Sequence, residues 1–149
     1  MKNVSLEPIY TKKAMDRKEN CIGERYIEIS LEHQKMWFYE YGNCLVETPI
    51  VTGLPTEDRK TLPGVYFLVS REKERVLGTY EVQGYETFVN YWMPFNGGQG
   101  IHDATWGSDS EFGGNTYKTN GSHGCVNTPL DKVKIIYENA QTGYPVIVY

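Results

Sequence analysis

Short segments in which apolar and polar residues alternate, separated by turn residues, most strongly constrain how this chain can fold. In residues 25–31, Ile27, Ile29 and Leu31 alternate with Tyr26, Glu28 and Ser30, as in a strand with one buried face. Residues 34–41 form a second such segment, and Gly42-Asn43 after it is typical of a tight hairpin. Further strands are predicted at residues 44–51, 65–70, 75–80, 87–92, 100–102 and 145–149.

One segment near the C-terminus has helical periodicity instead. Thr128 is placed to cap a helix that reaches about Thr142. Pro129 suits its first turn, and Asp131 sits where a capping-box acid would. Gly143 ends the helix, and its apolar face consists of Leu130, Val133, Ile136, Tyr137 and Ala140. Many short strands with one helix predict a mainly β fold, a β-sandwich with one principal helix near the C-terminus.

The length and composition indicate a single β-rich domain. A chain of 149 residues is long enough for one domain with a real core. Its 12 Tyr, 5 Phe, 3 Trp and 15 Gly favour strands and turns over a helical bundle. A net charge of −4 without a basic cluster argues against a nucleic acid partner.

The N-terminal region has the composition of a tail. Residues 1–20 are polar and lack the apolar core of a signal peptide. No apolar run in the chain reaches the roughly 18 residues of a transmembrane helix. We expect residues 1–23 to be a tail or linker remnant and residues 24–149 to form the domain. Any membrane contact would come from regions outside this chain.

The glycine-rich segment 121–127, Gly-Ser-His-Gly-Cys-Val-Asn, best supports an active site. An ordinary thiol has a pKa of about 8.5, so Cys125 needs a neighbouring base that lowers this pKa if it is a nucleophile. His123 and His102 are both candidates for that base. A lone cysteine would suit a buried structural thiol, but the two histidines and the glycines favour a nucleophile.

Other residues of this segment are placed to shape it. Gly124 lets the backbone approach a substrate without a Cβ, and backbone N–H groups there can hold an oxyanion. Ser122 and Asn127 are polar residues that can fix the loop conformation. The preceding residues 103–121 read as a long irregular loop, and loops of that length are usually functional. We expect this loop to form a lid or wall of the active site.

The spacing between His102 and residues 122–127 resembles the signature of the L,D-transpeptidase catalytic domain, the YkuD family. Three other segments also resemble that family: His-Asp-Ala-Thr-Trp at 102–106, Phe-Gly-Gly at 112–114 and Trp-Met-Pro-Phe-Asn at 92–96. The likeness covers residues 24–149. It implies the β-sandwich of that family and a cysteine acyltransferase.

The resemblance also implies roles for individual residues. His102 would be the general base, and the backbone carbonyl of Asp103 would orient its ring. The carboxylate of Asp103 would then be dispensable. His123 would lie beside the nucleophile, and N–H groups at Gly124 and Cys125 would form the oxyanion hole. The resemblance also implies that Trp106 lies against the substrate. Asn127, Tyr91 and Tyr117 are further candidates for substrate contact, although aromatic residues such as these tyrosines usually belong to the core.

The activity that the family implies is acyl transfer on bacterial peptidoglycan, at the cell wall outside the cytoplasm and without a cofactor. Cys125 would attack the third residue of a tetrapeptide stem and release the terminal D-alanine. An amine of a neighbouring stem would then accept the acyl group and form a 3→3 cross-link. Water in place of the amine would make the enzyme an L,D-carboxypeptidase, and carbapenems would acylate the same thiol.

One departure from the family pattern concerns substrate recognition. Relatives commonly carry an arginine directly after the tryptophan, where this chain has Gly107. A basic contact to a substrate carboxylate is therefore expected to be absent or to come from elsewhere. The remaining cysteines, Cys21 and Cys44, could form a disulfide, but their spacing alone does not establish one, and two free thiols are expected.

Three other interpretations stay open on the residues alone. A zinc site would use His102, His123 and Cys125 with a water, but Cys-x-x-Cys and His-Glu-x-x-His spacings are absent from the sequence. A papain-like or NlpC-type peptidase would place its cysteine before its histidine, the reverse of the order here. A non-catalytic wall-binding module would leave Cys125 unexplained.

Overall fold

The structure is a computed structural model that describes residues 24–106 and 109–149. The tail predicted for residues 1–23 lies outside the described residues, and so do Gly107 and the pairing considered for Cys21. The described strands are β1 (Arg25–Ser30), β2 (Lys35–Glu40), β3 (Asn43–Pro49), β4 (Gly64–Phe67), β5 (Glu72–Leu77), β6 (Thr87–Asn96), β7 (Gln99–Asp103), β8 (Val126–Thr128) and β9 (Pro145–Val148). The helical elements are a 3₁₀ turn (Asp109–Glu111), α1 (Thr116–Asn120) and α2 (Leu130–Asn139).

These strands form two sheets. One has five strands in the order β3-β2-β1-β9-β4, and the other has four in the order β5-β6-β7-β8. Both sheets and α2 contribute to one apolar core, which includes Ile27, Phe38, Met93, Ile101 and Ile136. Full burial of such a side chain contributes about 1.5–3 kcal/mol. A mainly β fold of two sheets with one principal helix confirms the predicted class. No helix in the described residues is long and apolar enough to cross a membrane.

β1 is buried on both faces, whereas its alternation predicted one buried face. Ile27 and Ile29 lie in the main core. On the opposite face, Tyr26 belongs to a second apolar cluster with Trp37 and Tyr39. The rings of Tyr26 and Tyr39 stack with their centroids 5.7 Å apart. Tyrosine alternates in the sequence like a polar residue, but its ring packs as an apolar group, so the pattern understates the burial.

The first hairpin turns one residue earlier than predicted. Glu40 of β2 pairs with Asn43 of β3, so Tyr41 and Gly42 form the loop, with φ angles of 50° and 81°. Two positive φ angles are what a two-residue type I′ turn requires, because this turn matches the twist of the flanking strands. Asn43 therefore begins β3 rather than completing the turn.

α2 starts later and ends earlier than predicted. Thr128 belongs to β8, and its hydroxyl donates to the Val126 carbonyl at 3.1 Å, so it does not cap the helix. Pro129 occupies the N-cap position instead. The N–H of Ala140 donates to the Ile136 carbonyl at 2.7 Å and closes the last turn. Pairing of β8 with β7 draws Thr128 into a sheet, which local capping preferences do not reveal.

Gly100 allows β6 and β7 to approach closely beside His102. A Cβ at Gly100 would lie 2.7 Å from the Cα of Pro94 and 2.8 Å from the carbonyl oxygen of Met93. His102 follows on the same strand and pairs with Trp92 of β6. The position of His102 therefore depends on a close contact between strands that only glycine permits.

Gly100→Ala should lower the free energy of unfolding by about 1–3 kcal/mol, because the added methyl group would overlap backbone atoms of β6. Gly98→Ala is the matched control, since a Cβ at Gly98 meets nothing within 4 Å. Guanidinium unfolding of both variants measures the difference. Equal unfolding free energies for the two variants would contradict the close approach of these strands.

Candidate active site

A cleft of about 540 Å³ opens along β6, β7 and β8. Six residues of the predicted site line it, namely His102, Trp106, Ser122, His123, Cys125 and Asn127. Glu111 of the 3₁₀ turn and Thr116 of α1 line it as well. Residues between 103 and 121 thus form part of the wall. The expectation of an irregular loop is wrong in part, because this segment contains two short helical elements.

Parallel pairing of β7 with β8 brings the two chemically important side chains to one place. His102 lies opposite Asn127, and Ile101 lies opposite Val126. Cys125 immediately precedes Val126, so it lies beside the strand that carries His102. Neighbouring strands are about 4.8 Å apart, and residues distant in the sequence therefore become neighbours across one strand spacing.

The His102 ring is buried and held by one hydrogen bond. Its Nδ1 lies 2.8 Å from the carbonyl oxygen of Asp103. Because a carbonyl only accepts, Nδ1 carries the proton and Nε2 is the basic atom. The rings of Trp92 and Trp106 flank the imidazole, with centroids 6.0 and 5.8 Å away. Burial lowers the pKa of His102 below its ordinary 6.5, and the carbonyl and charge of Asp103 oppose the shift.

The Asp103 carboxylate is fully engaged with β6. One oxygen accepts from the backbone N–H of Tyr91 at 2.8 Å, and the other accepts from the side-chain amide of Asn90 at 2.9 Å. Only 1% of Asp103 is exposed, and a buried carboxylate without such partners would be costly. The carboxylate therefore ties β7 to β6 and helps to position His102. The expectation that it is dispensable is corrected in this respect.

The Cys125 thiol is held in its neutral form. Its Sγ donates to the carbonyl of Gly98 at 3.3 Å. Burial raises the pKa of Cys125 to about 11, and the backbone of Gly100 opposes the shift. Sequence reasoning expected a lowered pKa, and that expectation is wrong, because desolvation of the thiolate outweighs the polar contacts.

The hydroxyl of Ser122 shapes the loop around the thiol. It accepts from the N–H of Gly124 at 3.1 Å and donates to the carbonyl of Cys125. The φ of Gly124 is 127°, a conformation that favours glycine, and a Cβ there would lie 3.0 Å from the side-chain nitrogen of Gln99. Because its N–H is engaged by Ser122, Gly124 does not itself offer a free oxyanion donor. The expectation for this N–H is corrected accordingly.

The ring of His123 and the backbone before it contact two residues that the sequence did not indicate, Tyr85 and Arg59. Its ring stacks on Tyr85 with centroids 4.5 Å apart. Arg59 donates to the carbonyls of Gly121, at 2.9 Å, and Ser122, at 3.3 Å. Burial and the charge of Arg59 lower the pKa of His123. Arg59 and Tyr85 lie in segments without a recognisable motif, so only the folded chain reveals them.

The residues expected to contact substrate separate into two groups. Trp106 and Asn127 line the cleft, and Trp106 is 57% exposed there. Tyr91 does not line the cleft, because its ring packs against Tyr137 of α2 with centroids 5.0 Å apart. Tyr117 of α1 is not a lining residue either. The structure therefore does not bring these two tyrosines into the cleft wall.

The charged side chains in the cleft wall are mostly basic. Among the described residues, the cleft is lined by two arginines, Arg59 and Arg75, and by one acidic residue, Glu111. Arg75 also forms an ion pair with Glu72, which leaves the charge of Arg59 less compensated. The described residues contain no group of three or more His, Cys, Asp or Glu that could hold a metal ion. The geometry therefore does not support the zinc interpretation.

The chain is similar to a known protein family and to several solved structures. A model of the family described as L,D-transpeptidase catalytic domain, YkuD, matches residues 24–148. No curated protein matches the chain. Among solved structures, a crystal structure of a mutant L,D-transpeptidase from Enterococcus faecium is 42% identical, with a TM-score of 0.79. The match covers 86% of this chain and 50% of that chain, so this chain spans about half the length of that relative.

Two further structures are similar over most of this chain. The NMR structure of the catalytic domain from E. faecium L,D-transpeptidase acylated by ertapenem is 41% identical, with a TM-score of 0.75. That match covers 87% of this chain and 100% of that one. An L,D-transpeptidase from Stackebrandtia nassauensis is 27% identical, with a TM-score of 0.70, over 93% of this chain and 61% of its own. These findings confirm the resemblance predicted from the sequence, and the chain belongs to the L,D-transpeptidase catalytic-domain family.

Proposed function

We propose that this domain is a peptidoglycan L,D-transpeptidase that acts at the cell wall, outside the cytoplasm. Its donor is a tetrapeptide stem, which acylates Cys125 and loses its terminal D-alanine, and its acceptor is an amine of a neighbouring stem. The product is a 3→3 cross-link. The observation that carries the proposal is one cleft lined by both Cys125 and His102, in a chain of this family.

In the first chemical step, Cys125 and His102 start as a neutral pair. The raised pKa of the thiol and the lowered pKa of the imidazole disfavour an ion pair before substrate binds. Sγ attacks the carbonyl carbon of the third stem residue while its proton passes to Nε2 of His102. The hydrogen bond from Nδ1 to the Asp103 carbonyl stabilises the imidazolium that forms.

The remaining steps return the enzyme to its starting state. The carbonyl oxygen becomes an oxyanion that accepts from the N–H of Cys125. Collapse of this intermediate breaks the peptide bond, and the His102 imidazolium gives its proton to the departing D-alanine amine. The acceptor amine then attacks the thioester and gives a proton to His102. That proton returns to Sγ as the new amide forms and the thiol leaves.

Side chains of the cleft wall are suited to hold the donor stem. Trp106 lies against His102 and is exposed, so it offers apolar surface to the stem beside the scissile bond. Arg59 lies in the same wall. It is a candidate for the basic contact to a substrate carboxylate that Gly107 does not provide, because a guanidinium binds carboxylates well.

Incubation with a defined tetrapeptide stem and a stem with a free amine should release D-alanine and give a 3→3 linked dimer. Mass spectrometry of the peptides measures both products. Cys125→Ala should give neither, because no other described residue supplies a thiol to the cleft. Cys44→Ala is the control and should match the parent, since Cys44 is exposed outside the cleft. Release of tripeptide without dimer would replace transpeptidation by L,D-carboxypeptidation.

A carbapenem should add once per chain, at Cys125, because its strained lactam carbonyl stands in for the scissile amide. His102→Ala should slow this acylation about 10²- to 10⁴-fold, since a positioned base contributes about that much. His123→Ala should keep more activity, because the His123 ring stacks on Tyr85 and is not bound to the Asp103 carbonyl. Intact mass over time measures the rates. A greater loss in His123→Ala would reverse the assignment of the base.

The pH dependence should distinguish a neutral pair from a stored thiolate. The pKa of His102 is lowered below 6.5, so carbapenem acylation should stay near its maximum from about pH 7 to about pH 9. In the parent, iodoacetamide alkylation of Cys125 should keep rising toward the thiol pKa of about 11, because alkylation needs the thiolate. An alkylation rate that levels off below about pH 8 would contradict the neutral resting thiol.

A further inference from the structure

The buried hydroxyl of Thr61 bonds to the loop that carries the nucleophile. Thr61 is 3% exposed and lies in the segment between β3 and β4, far from Cys125 in sequence. Its Oγ1 accepts from the N–H of Gly53 at 2.9 Å and lies 2.8 Å from the carbonyl oxygen of Gly124. Because a carbonyl only accepts, the single hydroxyl hydrogen is committed to Gly124.

This bond sets the direction of the Cys125 N–H. The carbonyl of Gly124 and the N–H of Cys125 belong to one planar trans peptide unit, so they point to opposite sides of it. Anchoring the carbonyl on Thr61 therefore turns the N–H the other way. Among the described residues, no group accepts a hydrogen bond from this N–H. It is available to the oxygen of an acyl group attached to Cys125.

Ser122 does not bond to the peptide unit that joins Gly124 to Cys125. The Ser122 hydroxyl bonds instead to the preceding peptide unit, through the Gly124 N–H, and to the following one, through the Cys125 carbonyl. The unit between them has the Thr61 bond to its carbonyl. Glycine rotates more freely than any other residue, so without that bond Gly124 would allow the unit to turn.

Thr61 is itself fixed relative to the strand that carries the base. Gln99 of β7 donates to the Lys60 carbonyl at 3.0 Å and accepts from the Leu62 N–H at 3.2 Å. These bonds clamp the backbone on both sides of Thr61. The hydroxyl of Thr61, the Gly124 carbonyl and β7 therefore form one connected frame.

We propose that Thr61 is a positioning residue for acyl transfer, which aims the Cys125 N–H at the developing oxyanion. The inference rests on the function proposed above. It assigns Thr61 no contact with substrate and no proton transfer. Its effect should appear only in steps that place negative charge on a carbonyl oxygen.

The test compares two substitutions that differ in one hydroxyl. Thr61→Val keeps the branched shape and removes the hydroxyl, whereas Thr61→Ser keeps the hydroxyl. Thr61→Val should slow carbapenem acylation at saturating drug by about 10- to 100-fold, part of the 10²- to 10³-fold typical of a lost oxyanion donor. The drug concentration at half-maximal rate should change little. Thr61→Ser should stay within about threefold of the parent.

Alkylation of Cys125 by iodoacetamide separates this role from general damage to the site. Displacement of iodide forms no oxyanion, so Thr61→Val should alkylate at the parent rate while its acylation falls. Thr61→Ala, measured in the same two assays, serves if the valine variant does not fold. Equal losses in both assays, or acylation at the parent rate in Thr61→Val, would overturn the inference alone. A folded parent that forms no carbapenem adduct would overturn the proposed function and this inference with it.

Discussion

Parallel pairing of β7 with β8 is the constraint on which the rest of the site depends. It places His102 beside the point where the Cys125 loop enters a strand. β7 is in turn fixed against β6 by the close approach at Gly100 and by the Asp103 carboxylate. His102, the proposed base, is therefore held by a sheet rather than by a loop, which gives it the precision that rigid elements provide.

Burial acts on the two reacting groups in the same direction, since it favours the neutral form of each. In the proposed mechanism, the neutral imidazole of His102 is available as a base, and the thiol of Cys125 keeps its proton until an acyl donor arrives. In that mechanism the site becomes charged only when the oxyanion and the imidazolium form together. Backbone N–H groups stabilise an oxyanion only if they point at it. The hydroxyls of Ser122 and Thr61 matter because they fix the direction of the backbone groups in the loop.

The fold class and the motif that lines the cleft could be predicted because both depend on short, local sequence patterns. Alternation indicates strands, and the glycine-rich segment around Cys125 indicates a reactive loop. The sequence did not show that Tyr91 and Tyr117 lie outside the cleft wall, because the direction of an aromatic side chain depends on the neighbours of its strand or helix. Thr61 and Arg59 were missed because their bonds join residues 63 and 62 positions apart. The thiol pKa was misjudged because burial is a property of the folded chain.

The contact between the Cys125 thiol and the Gly98 carbonyl has a consequence for how long the proposed nucleophile stays intact. Peroxide and other oxidants attack the thiolate, so susceptibility to oxidation follows thiolate character and exposure. At the proposed location outside the cytoplasm, where conditions are oxidising, a stored thiolate would be exposed to sulfenic and then irreversible sulfinic acid formation. If Cys125 is the nucleophile, a thiol that remains protonated and partly covered between turnovers is oxidised less often. This protection matters because no second cysteine among the described residues lines the cleft.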